Sequence, residues 1–161
     1  MKDTEAALKW IAEILIRNKI TFQVTGGFAA KLYGSNRELA DIDIDVKEDC
    51  FELLLPEVKP CILSGPQNYL DEEFDVKLMT LEYRGQVIDI AGKAKIFDKN
   101  KKQWVELKPD FSNGNYISIY GIRIPVITQD ALIEYKSMLL RDVDKEDIRV
   151  LTNNAGSNIA H

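Results

Sequence analysis

The stretch of sequence that decides the fold begins with the glycine pair Gly26-Gly27 and ends with Ala40-Asp41-Ile42-Asp43-Ile44-Asp45-Val46. Acidic and apolar residues alternate in the second part, which predicts a strand with its aspartates on one face and its isoleucines on the other. Aspartates on one face lie about 7 Å apart, and their repulsion raises a pKa unless a cation binds between them. Because Mg²⁺ binds one or two carboxylates together with substrate phosphates, the acidic face suits a metal site. A half-exposed strand with a solvated acidic face is the alternative interpretation.

The glycine pair lies between a predicted strand over residues 20–24 and a predicted short helix over residues 28–33, which Gly34 closes. A helix N-terminus preceded by glycines offers free backbone N–H groups and a partial positive charge, and both suit a phosphate. An ordinary turn between a strand and a helix would have the same glycines. The combination of strand, glycine pair, short helix and acidic strand within residues 20–46 is more specific than any of its parts.

These residues resemble the signature of the DNA polymerase β-like nucleotidyltransferase superfamily. The resemblance rests on Gly26-Gly27, Gly34, Arg37 and Asp41-Ile42-Asp43-Ile44. It is strongest to the small prokaryotic branch, which includes the lincosamide-type nucleotidyltransferases and the AbiEii-like toxins. Members of that branch often have Arg-x-Thr-x-Asp-Ile-Asp, and Leu39 here takes the place of the threonine. This departure bears more on which subfamily the chain resembles than on the chemistry of the site.

The resemblance implies an α/β (α+β) nucleotidyltransferase fold, with a mixed sheet, flanking helices and helices at the C-terminal end. It implies transfer of a nucleoside monophosphate from an NTP to an acceptor hydroxyl, with release of pyrophosphate. Asp41 and Asp43 would bind Mg²⁺ or Mn²⁺, and Gly26 and Gly27 would bind the phosphates. The resemblance also implies that positively charged side chains neutralise the phosphates. The candidates for that role are Arg37 and Lys136.

A third carboxylate is predicted on a neighbouring strand. Residues 74–81 and 86–91 are predicted to form a hairpin around Arg84-Gly85. Asp89 lies between two isoleucines of the second strand, where a charge costs several kcal/mol unless it is paired or near a metal. The superfamily has its third carboxylate on such a strand, so the resemblance implies that Asp89 completes the metal site and accepts the proton of the attacking hydroxyl. An outward-facing aspartate in a one-sided sheet is the alternative.

The C-terminal part contains a second cluster of candidate residues. A helix is predicted over residues 129–140, and its apolar stripe includes Lys136. This lysine could extend to the surface, contact a phosphate or balance the acidic site. Residues 125–151 resemble the C-terminal motif of the same small nucleotidyltransferases. We interpret Asp144 first as the N-cap of the last helix and Asp147 as a residue of its first turn.

The other predicted elements follow from periodicity and turn residues. They are helices over 4–17 and 48–55, a hairpin within 93–108 and strands over 116–120 and 122–127. Pro56 is predicted to end the second of these helices, and residues 56–71 to connect elements with a short strand at 61–63 at most. The basic hairpin, with its interleaved aromatic residues, could contact nucleic acid, but a solvated loop is the preferred interpretation.

Length and composition predict one soluble cytoplasmic domain over residues 1–152 and a flexible tail over residues 153–161. Hydrophobic residues make up 45% of the 161-residue chain, and no apolar run approaches the ~20 residues of a membrane span. The net charge of −5 argues against a general nucleic-acid binder. The two cysteines are too few for a zinc site. The only histidine, His161, lies in the tail, so histidine-based catalysis is not expected.

Two further functions stay open at this point. One is a non-catalytic relative that binds nucleotide or a partner protein, as one component of a toxin–antitoxin or phage-defence pair. The other is a metal-dependent nuclease, which the glycine pair argues against. For the transferase itself, the NTP and the oligomeric state, including a homodimer, are open. The acceptor is also open between a small molecule such as an antibiotic, a tRNA and a protein.

Overall fold

The strand that carries the aspartates lies at the centre of an eight-stranded mixed sheet. In the computed structural model, which describes residues 1–158, the strand order is β3-β4-β5-β2-β1-β8-β7, and β6 pairs with the second half of β5. The strands are β1 Phe22–Thr25, β2 Asp41–Val46, β3 Ile62–Leu70, β4 Phe74–Tyr83, β5 Gln86–Asp98, β6 Gln103–Leu107, β7 Asn115–Ile119 and β8 Ile122–Val126. The predicted mixed sheet is confirmed.

Five α-helices flank the sheet within the described residues. They are α1 Thr4–Arg17, α2 Gly26–Leu32, α3 Phe51–Val58, α4 Gln129–Leu139 and α5 Asp142–Asn158. Asp3 caps α1 by accepting a hydrogen bond from the Ala6 N–H, and Thr128 caps α4 in the same way. None of these helices has the length and hydrophobicity that crossing a bilayer requires.

The pairing register places polar side chains of four neighbouring strands in one line. In β2, Asp43 is opposite Thr25 of the antiparallel β1 and opposite Asp89 of the parallel β5. Asp89 is in turn opposite Thr80 of β4. Since side chains of paired residues lie on the same face of a sheet, these four residues form a row across it.

The other face of the same strands is the core. Ile42, Ile44, Ile88 and Ile90 are at most 1% exposed and pack in one cluster with buried residues of α1 and α3. Burying each such side chain contributes about 1.5–3 kcal/mol. The alternation of acidic and apolar residues in β2 therefore separates the two faces as predicted. The apolar core on the opposite face fixes the position of the acidic row.

Two predictions about the segment after β2 are wrong. Pro56 does not end a helix, since α3 begins at Phe51 after a 3₁₀ turn and continues to Val58. The proline removes one helical hydrogen bond, but Leu54 and Val58 are fully buried and offset that loss. Residues 62–70 form a nine-residue strand, not a connection. Because β3 lies at the edge of the sheet, it tolerates a proline and two register shifts.

The last helix includes residues 153–158, which the sequence analysis placed in a tail. Residues 159–161, with His161, lie outside the described residues. The hairpin predicted within residues 93–108 is confirmed as the second half of β5 with β6.

Candidate active site

Three carboxylates meet on the open face of the sheet. One oxygen each of Asp41, Asp43 and Asp89 lies within 4.8 Å of the other two, and all three residues are partly buried. We call these three residues the acidic triad. Two of them come from alternate positions of β2, and Asp89 joins them because β2 and β5 are parallel and in register.

The triad carries more negative charge than its surroundings balance. Burial raises the pKa of Asp43 well above its usual range, and the charges of Asp41 and Asp89 raise it further. Burial together with a hydrogen bond to Asp41 raises the pKa of Asp89 to about 6. The Thr80 hydroxyl partly opposes this shift by donating to Asp89 Oδ1 at 2.7 Å. Converging carboxylates with raised pKa values are the donor set that a hard divalent cation prefers.

The glycine pair lies directly against the triad. Gly26 has φ +64°, and a Cβ atom at this position would overlap with Asp43 Oδ2. A Cβ atom on Gly27 would lie 2.8 Å from Arg37 Nη2. The glycines are the first two residues of α2, so the helix begins two residues earlier than predicted. Their lack of side chains allows the helix start to approach both Asp43 and Arg37.

A second set of aspartates lies where α2, α4 and α5 meet. Lys136 is 1% exposed, and its Nζ is 3.0 Å from Asp147 Oδ2 and 3.3 Å from Asp144 Oδ1. Arg37 donates to both oxygens of Asp147, at 3.2 and 2.8 Å. Arg141 donates to Asp144 from Nε at 2.6 Å and from Nη2 at 3.1 Å. We call these five residues the ion-pair cluster.

The ion-pair cluster corrects the interpretation of the last helix. Asp144 is its third residue, not its N-cap, and accepts a hydrogen bond from the Arg141 backbone N–H at 3.1 Å. Asp147 lies in the second turn. Burial raises the pKa of Asp144, but the hydrogen bonds and charge of Arg141 outweigh burial and lower it. Arg37 and Lys136 lower the pKa of Asp147 in the same way.

Comparison with solved structures reveals neighbours that cover nearly the whole chain. A protein from Thermotoga maritima described as a nucleotidyltransferase aligns with a TM-score of 0.68 and 20% identity, over 95% of this chain and 96% of that one. The lincosamide antibiotic adenylyltransferase LnuA, solved with lincomycin bound, aligns with a TM-score of 0.62 and 20% identity, over 94% and 98%. ANT(2'')-Ia, solved with adenylyl-2''-tobramycin, aligns with a TM-score of 0.61 and 14% identity, over 96% and 90%.

The chain has the nucleotidyltransferase fold. This confirms the expectation for the fold that came from the glycine pair and the acidic strand. No protein-family model and no curated protein matches the sequence.

In this nucleotidyltransferase fold, the predicted site residues separate into two groups. Asp41, Asp43 and Asp89 converge, and the glycine pair lies beside them. The two predicted phosphate ligands, Arg37 and Lys136, both bind Asp147. Arg37 keeps 28% of its side chain exposed, whereas Lys136 is buried. Their contact with phosphate stays a prediction.

The site also contains residues that the sequence analysis did not select. The triad opens into a cleft of about 1080 Å³, which Thr80, Tyr135 and Gln23 also line. Thr80 could have been found, since a two-residue turn at Arg84-Gly85 places it opposite Asp89. Tyr135 could not, because α4 reaches the triad only in the tertiary structure. Burial and the charge of Asp43 raise the pKa of Tyr135.

Proposed function

We propose that the protein is a metal-dependent nucleotidyltransferase. It moves a nucleoside monophosphate from an NTP to an acceptor hydroxyl and releases pyrophosphate. The observation that carries the proposal is the convergence of three carboxylates within 4.8 Å beside a helix that begins with two glycines. The fold, which the lincosamide antibiotic adenylyltransferase LnuA shares, supports the same reaction class.

The acidic triad fits a divalent cation. Its three carboxylates have no ion pair with a lysine or arginine of residues 1–158. Mg²⁺ or Mn²⁺ would be held by Asp41, Asp43 and Asp89 together with the phosphates of the substrate. When bound, the metal neutralises phosphate charge and polarises the phosphorus under attack.

The side chains of the protein have distinct tasks in the proposed reaction. Asp89 takes the proton of the acceptor hydroxyl while the acceptor oxygen bonds to the α-phosphorus and the bond to pyrophosphate breaks. Thr80 orients Asp89 by its hydrogen bond of 2.7 Å.

The phosphates are proposed to lie at the start of α2. The backbone N–H groups of Gly26 and Gly27 are available there, and Arg37 lies against Gly27 with part of its guanidinium exposed. Lys136 acts through its charge from behind the site, where it opposes the rise in the pKa of Asp43. Much of the rate would come from this electrostatic preorganisation.

We propose ATP as the donor and a small molecule as the acceptor. The solved neighbours include an adenylyltransferase with lincomycin bound and ANT(2'')-Ia with adenylyl-2''-tobramycin. A cleft of about 1080 Å³ has room for a nucleotide and a small acceptor. The net charge of −5 disfavours a long RNA.

The experiment that tests the proposal is a thermal-shift series with ATP, GTP, CTP and UTP, each with and without Mg²⁺. It compares the wild type with Asp41→Asn/Asp43→Asn, each against its own nucleotide-free baseline. A nucleotide at a hundredfold excess over Kd should stabilise the wild type by about 2.7 kcal/mol only with Mg²⁺. The double variant should lose this shift, and Glu52→Gln, an exposed residue of α3, should keep it.

Turnover is then measured as pyrophosphate release from the stabilising nucleotide in the presence of candidate acceptors. Loss of a metal ligand in Asp43→Asn should lower the rate at least about 10²–10³-fold. If no nucleotide shifts the wild type at millimolar concentration, the non-catalytic alternative replaces the proposal. Cleavage of nucleic acid without pyrophosphate release would indicate the nuclease.

A further inference from the structure

A second row of cleft residues lies next to the triad, one step along the same strands. Asp45 of β2 is opposite Gln23 of β1 and Ala91 of β5, and Ala91 is opposite Leu78 of β4. All four residues line the cleft. This second row therefore runs beside the row of Thr25, Asp43, Asp89 and Thr80. It differs in having the apolar residues Ala91 and Leu78 on β5 and β4.

Asp45 is the charged member of this second row, and the protein leaves it without a partner. No hydrogen bond or ion pair joins its side chain to any other part of residues 1–158. Three cations of the cleft are committed elsewhere, since Arg37 and Lys136 bind Asp147 and Arg141 binds Asp144. A partly buried carboxylate without a cation or donor is costly, so its place in the cleft indicates a ligand.

Gln23 provides the independent observation. Its side chain is 2% exposed, and its Nε2 donates to the Asp110 backbone carbonyl at 3.3 Å. Because a carbonyl only accepts, this bond identifies the nitrogen end of the amide. The other end, Oε1, is buried and has no donor within residues 1–158. An unpaired buried acceptor is costly, and the fold nevertheless keeps at this position an acceptor for which the described residues supply no donor.

Two neighbouring acceptors without donors specify the chemistry of the missing group. A carboxylate and an amide oxygen both require N–H or O–H donors, and an ammonium group supplies three donors and the complementary charge. We propose that Asp45 and Gln23 form a subsite that binds a protonated amino group of the acceptor. This inference rests on the proposed function, because it assigns the subsite to the acceptor of that reaction.

The geometry of the transfer favours the acceptor over the nucleotide. Gln23 precedes Gly26 by three residues, so the second row lies on the side of the triad away from the proposed phosphate site. In an in-line displacement, the attacking oxygen enters opposite the leaving pyrophosphate. An acceptor that reaches Asp89 from that side passes over Ala91 and Leu78, beside Asp45.

The test uses two small probes that differ in one group, trans-2-aminocyclohexanol and trans-1,2-cyclohexanediol. Both are titrated at pH 7 into ¹⁵N-labelled protein that holds Mg²⁺ and non-hydrolysable α,β-methylene-ATP. The amide signals of Gln23, Asp45 and Ala91 report binding. The amine should bind at least about tenfold more tightly than the diol, since a charge-assisted hydrogen bond is worth about 1.5–3 kcal/mol.

Asp45→Asn should remove this preference for the amine, and Asp45→Ser serves if the first variant does not fold. Glu134→Gln, which changes another carboxylate of the cleft, should keep it. Equal affinities for the two probes, no response of the three signals, or the same preference in Asp45→Asn would overturn the proposal. Loss of nucleotide affinity in Asp45→Asn with an unchanged amine preference would assign the subsite to the nucleotide and would also overturn it.

The proposed function is checked separately through the affinity of the wild type for the nucleotide in the same samples. If the nucleotide does not bind, the proposed function fails, whereas the amine preference and its dependence on Asp45 are still measured. The two failures are therefore distinguishable.

Discussion

The acidic triad and the ion-pair cluster are two groups of half-buried or buried aspartates with opposite electrostatics. Asp144 and Asp147 are fully buried, yet hydrogen bonds and charges from Arg37, Lys136 and Arg141 lower their pKa values. In the triad, burial and mutual repulsion raise the pKa values of Asp43 and Asp89, and no ion pair from residues 1–158 outweighs them. Burial alone therefore does not decide the protonation of these carboxylates. The presence of a cation from the chain does.

The difference separates a structural role from a functional one. The ion-pair cluster joins α4, α5 and the segment between α2 and β2 with charges that the chain supplies itself. The triad is held by the sheet and lacks such partners, which is the arrangement expected when a metal and a substrate supply the missing charge. Three predictions test this distinction.

The largest difference is expected between Asp144→Asn and Asp43→Asn, measured by urea unfolding without metal. Asp144→Asn should lower the free energy of unfolding by about 3–5 kcal/mol, because Lys136 keeps its charge and loses a buried partner. Asp43→Asn should leave it unchanged or raise it, because it removes a repelling charge from the triad. Glu146→Gln, which breaks an exposed pair on the same helix, should have little effect. Destabilisation by both aspartate substitutions to the same extent would contradict the distinction.

The second prediction concerns the contact between the glycine pair and the triad. Gly26→Ala should cost about 2–4 kcal/mol, since φ +64° is strained for alanine and the new Cβ overlaps with Asp43 Oδ2. Gly121→Ala is the matched control, because φ is +77° but no atom lies within 4 Å. It should cost only the backbone strain of about 1–2 kcal/mol. Thermal unfolding measures both, and equal losses would mean that Asp43 yields without cost.

The smallest effect is the pH dependence of the metal-free protein. Burial raises the pKa of Asp89 to about 6 and that of Asp45 to about 7 in the folded state, against 3.8 for the ordinary carboxyl, so the folded state binds more protons between these values. Stability should therefore fall as the pH rises from 5.5 to 7.5, by about 2 kcal/mol, which lowers Tm by several degrees. The lowered pKa values of Asp144 and Asp147 affect stability only at more acidic pH.

The control for the pH prediction is Asp45→Asn/Asp89→Asn, which removes both of these titrating groups, so the fall in Tm should be much smaller. Millimolar Mg²⁺ should restore the Tm of the wild type at pH 7.5 and have less effect at pH 5.5, where protons compete for the carboxylates. A Tm that rises between pH 5.5 and 7.5 without metal would show that the triad is balanced by other charges.

Most of the central elements could be predicted because their signals are local. The alternation of β2, the turn at Arg84-Gly85 and the caps of α1 and α4 each depend on neighbours in sequence. The edge strand β3 was missed because its proline is tolerated only at the edge of a sheet, and edge position depends on the strand order. The full length of α3 was missed for a related reason. Its continuation past Pro56 depends on the burial of its apolar side chains, which is also a tertiary feature.

The residues of the site also divide into those with a local sequence signal and those that depend on tertiary packing. Asp41 and Asp43 were found from periodicity, and Asp89 from its position between two isoleucines together with the family resemblance. The aspartates that bind Lys136, by contrast, were not predicted, because Asp144 and Asp147 lie close to it only after α5 packs against α4. Gln23 carried no sequence signal, since its unpaired oxygen results from burial.

The sequence by itself determined the glycine-to-aspartate motif, the polarity of the two faces of the central strand and the residues that supply the carboxylates. These follow from side-chain direction and turn geometry, which act over a few residues. Only the tertiary structure decided which aspartates receive a cation from the chain and which stay open to a ligand. Charge interactions act through space, so they depend on which helix and strand come together.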